Sequence, residues 1–235
     1  MIEFKNVVIG YQSRELVTIP KLLLEPNNLY VLIGRNGSGK STLLRTLTNQ
    51  GALISGNILL NGDDIRTYNN TTISRKVSFV QTKFPSVEYL KVGEYVALGR
   101  SPFTNAFGRL SANDNAIINK AISLLGIDHI KDKFTSEISD GERQLTAIAK
   151  ALAQETDVIL LDEPTAFLDY TNKKIVFNIL SKIANDMNKC ILLSSHDLEL
   201  SIESGCSFLL RESSSTKLLF GNTEITKEEI LKISF

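Results

Sequence analysis

Nine consecutive residues at 34–42, GRNGSGKST, hold three glycines, one lysine and three hydroxyl side chains. Their spacing fits G-x-x-x-x-G-K-[ST], a pattern whose chemistry is the cradling of a phosphate chain. Glycine lets the backbone curl so that successive N–H groups point inward, and a following helix adds its positive end. Gly34, Arg35, Asn36, Gly37, Ser38, Gly39, Lys40, Ser41 and Thr42 are therefore candidate phosphate contacts. Lys40 has the reach for β- and γ-phosphates, and the Ser41 hydroxyl is a ligand type for Mg²⁺.

A phosphate loop also needs a metal anchor and a group that activates a nucleophile. The stretch VILLDEP at 158–164 supplies both residue types. Four apolar residues make a buried strand, and two carboxylates follow at its end, where ligands sit in open α/β sheets. Asp162 would hold Mg²⁺ through water, and Glu163 would accept a hydrogen bond from an attacking water. Between these motifs, ISDGERQ at 138–144 admits two readings. Ser139 followed at three residues by Glu142 is a capping box, an ordinary helix start. Ser139, Asp140, Gly141 and Glu142 could equally form a second phosphate site at that start.

The elements that must position these groups follow from periodicity. Strand-like runs at 2–9, 16–24, 29–33 and 57–60 are divided by turn residues at 26–28 and 61–63, and a further strand spans 76–80. From 92 to about 133 the pattern is helical, with apolar residues at 116, 117, 121, 124 and 125 before Gly126. Helix 144–154, strand 158–161, helix 173–187 and strand 190–194 then alternate, which implies a mostly parallel sheet covered on both faces. Runs at 208–211 and 217–220 read as a hairpin, and 227–232 as a closing helix.

Composition narrows the classes further. The 235 residues suit one large domain, and 43% hydrophobic with 22% charged residues is ordinary for a globular protein. Lys+Arg and Asp+Glu balance at 26 each, so no net field recruits nucleic acid or an anionic membrane. The apolar runs fall far short of the roughly 20 residues of a membrane span. The start, MIEFKNVVIGY, reads as a strand and not as a signal peptide, so the expected location is cytoplasmic. Cys190 and Cys206 read as reduced core thiols.

Taken together in order, these motifs resemble the nucleotide-binding subunit of an ABC (ATP-binding cassette) transporter over nearly the whole chain. GRNGSGKS resembles the Walker A motif, VILLDEP the Walker B motif, and ISDGERQ a variant of the signature usually written LSGGQ. By the same resemblance, Tyr11 is the aromatic that stacks on adenine, and Gln81 the Q-loop glutamine that senses Mg²⁺ and the γ-phosphate. TAFLDY at 165–170 resembles the D-loop, and His196 the switch histidine that contacts the γ-phosphate.

The resemblance implies a P-loop NTPase: an ABC-type ATPase core with an antiparallel β subdomain and a helical subdomain inserted near 85–140, all in one nucleotide-binding domain over 1–235. It implies ATP and Mg²⁺ as ligands, with catalytic roles for Glu163, His196 and Gln81, and metal contacts from Ser41, Gln81 and Asp162. It implies a head-to-tail homodimer seated on integral-membrane permease subunits at the cytoplasmic face, together with a substrate-binding protein. The loop after Gln81, TKFPSVEYL, is where such subunits receive the permease's coupling helix, with Phe84 and Tyr89 as candidate contacts. Gly99-Arg100-x-Pro102 and Gly108-x-Leu110-Ser111-x-x-Asp114 resemble importers of iron–siderophore, haem and cobalamin. The short tail after 221 suggests no added regulatory domain. A soluble ABC ATPase or an idle regulatory cassette are the rival expectations, and the presence of Lys40, Glu163 and His196 speaks against the second. Asp140 and Glu142 stand where the family usually has Gly and Gln, placing extra negative charge near a polyanion site.

Overall fold

A computed structural model describes every residue except 12–13, 85–87 and 106. Its strands form two sheets. In the first, β2 (Arg14–Leu24), β1 (Ile2–Tyr11), β4 (Leu53–Leu60) and β5 (Asp63–Asp64) pair antiparallel in that order. The buried side chains of β1 are Ile2 and Phe4, then Val7 and Ile9, so the period of two slips once. The slip is a backbone irregularity. Asn6 adopts φ 50 opposite Gly56, where any Cβ would stand 2.2 Å from the Asn6 carbonyl oxygen.

The second sheet has the order β10 (Leu218–Gly221), β9 (Ser207–Arg211), β3 (Asn28–Ile33), β8 (Cys190–Ser194), β7 (Val158–Asp162), β6 (Val77–Val80). All neighbours run parallel except the β9–β10 hairpin. The two faces of this sheet divide the core. Val31, Ile33, Ile159, Leu161, Ile191 and Leu193 pack with the helices, whereas Tyr30, Leu32, Val158, Leu160 and Leu192 pack toward the first sheet. Residues of β3, β7 and β8 are thus buried on both sides, which accounts for their uninterrupted apolar runs.

Two helices begin earlier than the periodic pattern suggests, and capping explains both. Helix α6 covers Tyr170–Asp186 because Asp169 accepts the Asn172 N–H at 2.8 Å, and α5 covers Asp140–Ala153 because Ser139 caps it. Short helices α2 (Asn70–Ser74) and α7 (Leu198–Glu203) carry too little periodic sequence to be anticipated. Helix α1 is Lys40–Thr46, and α8, Lys227–Ser234, closes the chain.

Helices α3 (Val92–Ala97), α4 (Ala112–Leu124) and α5 pack as one group. Their junction is built by the stretch that resembles siderophore importers. A Cβ at Gly99 would lie 2.3 Å from the Lys150 carbonyl oxygen, so only glycine lets the turn at Leu98–Phe103 touch α5. Buried Arg100 donates to Asp114 at 2.8 Å, to the Ala153 carbonyl at 2.9 Å and to Glu155 at 2.9 Å. Ser111 hydrogen bonds, then the Arg100 guanidinium, hold the Asp114 carboxyl down at about 2. These residues brace the helical region. Among the described residues, no helix is long and apolar enough to cross a membrane. Cys190 and Cys206 are free and buried, each thiol pushed up to about 12 by burial.

Candidate functional site

The loop at 34–42 joins the C-terminal end of β3 to α1. Gly37 and Gly39 take φ 75 and φ 95, a left-handed backbone that bends the loop around its own amides. A Cβ at Gly34 would stand 2.8 Å from the Arg211 Cβ and 2.9 Å from Ser38 Oγ. Arg211 also donates to the Leu16 carbonyl at 2.9 Å, and Leu16 and Val17 lie against Gly39. The loop is therefore gripped between β9 and β2. Arg211 is a supporting residue that no motif marks; only its place on a strand beside β3 reveals it.

Lys40 is 6% exposed, and its ammonium donates to the Gly34 carbonyl at 2.7 Å and the Arg35 carbonyl at 3.2 Å. Burial pulls its pKa down, opposed by the charges of Glu163 and Asp162. Ser38 Oγ is buried without a hydrogen-bond partner among the described residues. A concave loop with an orphaned hydroxyl and a cation held by the loop's own carbonyls fits an incoming polyanion.

Two hydroxyls converge on Asp162, which ends β7. Ser41 Oγ donates to Asp162 Oδ1 at 3.0 Å, and Ser194 Oγ donates to the same oxygen at 2.8 Å. Ser194 in turn accepts the Glu163 N–H at 2.9 Å. Glu163 stands at φ 47, a left-handed conformation that a side chain adopts only when held there. Its Oε1 lies 3.0 Å from His196 Nε2, which also lies 3.4 Å from Lys40 Nζ. One nitrogen cannot both donate to Glu163 and accept from Lys40, and the closer carboxylate takes it as donor. Ser194, at the end of β8 and fully buried, is the residue the motif reading missed. Asp197 is a second one: it accepts from Thr165 and Lys173, each at 2.9 Å, and so ties the His196 segment to residues 165–173.

Ser41 and Asp162 offer hard oxygen donors side by side, the donor type of Mg²⁺. Among the described residues no cluster of three or more His, Cys, Asp or Glu could enclose a metal, so a cation here would complete its shell with phosphate oxygens and water.

The other sequence candidates lie around this centre. Gln81, exposed, follows β6 immediately, one strand over from Asp162, and makes no hydrogen bond to it. Tyr11 is 57% exposed and pairs with Arg14 at the end of β1, on the strand pair that touches Gly39. Residues 139–142 begin α5 and make no hydrogen bond to the 34–42 loop of their own chain. Ser139 Oγ donates to Glu142 Oε2 at 2.8 Å, the Glu142 N–H donates back at 3.3 Å, and His129 stands 3.6 Å from the other Glu142 oxygen. The capping-box reading of this stretch therefore holds. The Ser139 N–H and hydroxyl hydrogen bonds draw the Glu142 pKa down. Asp140 accepts from Arg143 at 2.8 Å, so its charge is already countered within the chain. Asp140 and Glu163 line one depression of about 230 Å³ together with Arg143, Gln144 and Phe167. Part of the TKFPSVEYL loop, residues 85–87, lies outside the described residues, as do Gln12 and Ser13 next to Tyr11.

Fold and site together define an α/β phosphate-loop protein with the layered core of an ABC-type ATPase. Comparison with known proteins agrees: residues 18–166 match the ABC transporter family. The achromobactin transport ATP-binding protein of Dickeya dadantii is 34% identical, across 83% of this chain and 73% of that protein. The iron(3+)-hydroxamate import ATP-binding protein of Bacillus subtilis is 33% identical, across 81% and 71%. Among solved structures, a transporter described as of metal-chelate type, in an inward-facing conformation, aligns with a TM-score of 0.84 at 28% identity, covering 99% of this chain and 88% of that one. The chain belongs to the ABC transporter family, as an ATP-binding and ATP-hydrolysing subunit.

Proposed function

We propose that this chain, as a single nucleotide-binding domain over 1–235, drives the import of an iron–siderophore or similar chelate. The observation that carries the catalytic part is the hydrogen-bonded run from Ser41 through Asp162 and Ser194 to the Glu163 amide, with Lys40 beside it. Loop amides, Ser38, Lys40 and Thr42 bind the ATP phosphates, and Tyr11 stacks on the base. Ser41 and Asp162 hold Mg²⁺, with Gln81 completing its contacts; the ion neutralises charge on the phosphates when bound. Glu163 orients the attacking water and takes its proton, and Lys40 compensates the charge that develops on the transferred phosphoryl group. His196 steadies that group once it turns from Glu163.

In this reading two copies meet head to tail, and residues 139–142 of each complete the phosphate site of the other. Such a closed interface would supply the contact with a 34–42 loop that this stretch does not make within its own chain. The dimer sits on the cytoplasmic face of the membrane through permease subunits, and a substrate-binding protein delivers the chelate. The solute class rests on the relatives, whose names specify achromobactin, iron(3+)-hydroxamate and ferric enterobactin transport. Uptake of radiolabelled ferric siderophores in cells carrying Lys40→Ala tests it. Loss of ferric siderophore uptake is the expected result; unchanged iron uptake with loss of another solute would replace the substrate class.

A further inference from the structure

His129 has no role in the chemistry at Glu163, yet it touches the stretch at 139–142. It stands exposed on the short turn Asp128–Ile130, with Nε2 3.6 Å from Glu142 Oε1. The other carboxylate oxygen, Glu142 Oε2, accepts the Ser139 N–H at 2.8 Å and the Ser139 hydroxyl at 2.8 Å. One carboxylate is thus shared between an imidazole and the hydroxyl of Ser139. The charges around this pair come from several segments. Lys133 is a further cation acting on Glu142, and Asp132 beside it is exposed. Arg143 donates to Asp140 at 2.8 Å, and Lys131 donates to Asn119 at 2.7 Å. Asp128 accepts from Ser123 at 2.6 Å, and Glu137 accepts the Phe134 N–H at 3.0 Å.

A hydroxyl carries a single hydrogen. While Ser139 Oγ donates it to Glu142, it cannot donate it to a phosphate of the facing chain. We infer that His129 is a positioning residue for ATP-driven closure: as an imidazolium it takes up the Glu142 carboxylate and frees the Ser139 hydroxyl for the phosphate held by the partner. This rests on the reading that residues 139–142 complete the partner's phosphate site. A bond from imidazolium to carboxylate is charge-assisted, the stronger kind, so protonation tips the competition away from the hydroxyl. The same proton acts a second way, since it offsets a carboxylate that would otherwise repel the incoming polyanion. The start of α5 survives the exchange, because the Glu142 N–H still reaches Ser139 Oγ at 3.3 Å. The device needs the carboxylate that this chain carries at 142; an amide there would offer the imidazolium no charge.

The test is ATP-driven dimerisation of the full chain carrying Glu163→Gln, read by sedimentation at pH 6 and pH 8 in low salt. Imidazoles ordinarily titrate near pH 6.5, so the two conditions bracket the change. Adding His129→Gln should weaken the dimer about ten-fold at pH 6, roughly three-fold from each of two sites, and leave it unchanged at pH 8. His196, the chain's other histidine, and ATP itself are present in both samples, so their titration cancels in the comparison. His129→Lys, a fixed cation, should give the tight dimer at both pH values. In a Glu142→Gln background, His129→Gln should change nothing at either pH, an outcome that a merely structural role would not produce. Should His129→Gln not fold, His129→Asn takes its place. An unchanged dimer at pH 6, or an equal loss at both pH values, overturns the inference. So does a loss that persists in the Glu142→Gln background. If the Glu163→Gln chain fails to dimerise with ATP at any pH, the head-to-tail reading itself falls, and the inference with it.

Discussion

Replacing Ser194 with alanine removes a single oxygen from a fully buried position, yet that oxygen joins both carboxylate residues of the site. It accepts the Glu163 N–H at 2.9 Å and donates to Asp162 at 2.8 Å. A hydrogen bond to a charged group contributes roughly 1.5–3 kcal/mol and a neutral one about 1 kcal/mol. Asp162 keeps its bond from Ser41, which offsets part of the loss. Ser194→Ala should therefore destabilise the nucleotide-free chain by about 2–3 kcal/mol, a fall in Tm of roughly 4–12 °C for a protein of this size. The effect on turnover is separate. Without its anchor the left-handed backbone at Glu163 relaxes, and a displaced base should slow kcat by roughly ten- to a hundred-fold. Ser78→Ala is the control: Ser78 is as buried, but its one hydrogen bond, to the Val158 carbonyl, is long at 3.5 Å. Urea unfolding of both variants, beside steady-state ATP hydrolysis, reads the two effects. If Ser194→Ala unfolds like Ser78→Ala and keeps the parent's kcat, Ser194 does not organise the site and the reasoning fails.

Lys40→Ala should abolish ATP turnover and greatly weaken nucleotide binding with an unchanged circular dichroism spectrum; near-normal hydrolysis would remove Lys40 from the phosphate site. Arg143→Gln should leave Asp140 unpaired and weaken ATP-driven dimerisation at low ionic strength, an effect that shrinks as salt rises, because Asp140 is exposed and Arg143 only half-buried. Sedimentation across a salt series checks this, and an unchanged dimer would show that Asp140 does not face the nucleotide. The Glu142 pKa is lowered on folding, so its contribution to the start of α5 is present above the ordinary value of 4.5 and is lost as pH falls through the folded value. Relative to the intrinsic rate, amide exchange in the first turn of α5 should be slow in the parent above pH 4.5 and accelerate as pH falls through the lowered folded value, and be fast at every pH in Glu142→Ala; a pH-independent protection in the parent would contradict the cap.

Much of this site could be read from sequence because its groups come in local runs. Lys40 and Ser41 sit in one loop, and Asp162 and Glu163 follow one apolar strand, so spacing alone placed them at sheet ends. The alternation of helices with apolar strands likewise implied the parallel sheet. What could not be read depends on register between distant strands. Ser194 reaches Asp162 because the two are paired residues on β8 and β7, and no local pattern distinguishes that serine from its neighbour Ser195. Arg211 braces Gly34 across β9 and β3 for the same reason. The charges of Asp140 and Glu142 at a candidate phosphate site are legible in the sequence, but not the contacts they make: Arg143 donates to Asp140 and Ser139 to Glu142. The slip of β1 at Asn6 depends on Gly56, 50 residues away in the chain, and periodicity along β1 alone cannot name its cause.

Glu163→Gln, mixed with Mg²⁺ and ATP, tests the central claim most directly. The amide keeps the shape of the site but cannot take a proton from water. The account predicts tight ATP binding, hydrolysis reduced to background, and a species of twice the chain mass by light scattering that holds two ATP. Hydrolysis at the parent's rate, or a nucleotide-saturated monomer across all protein concentrations, would contradict it.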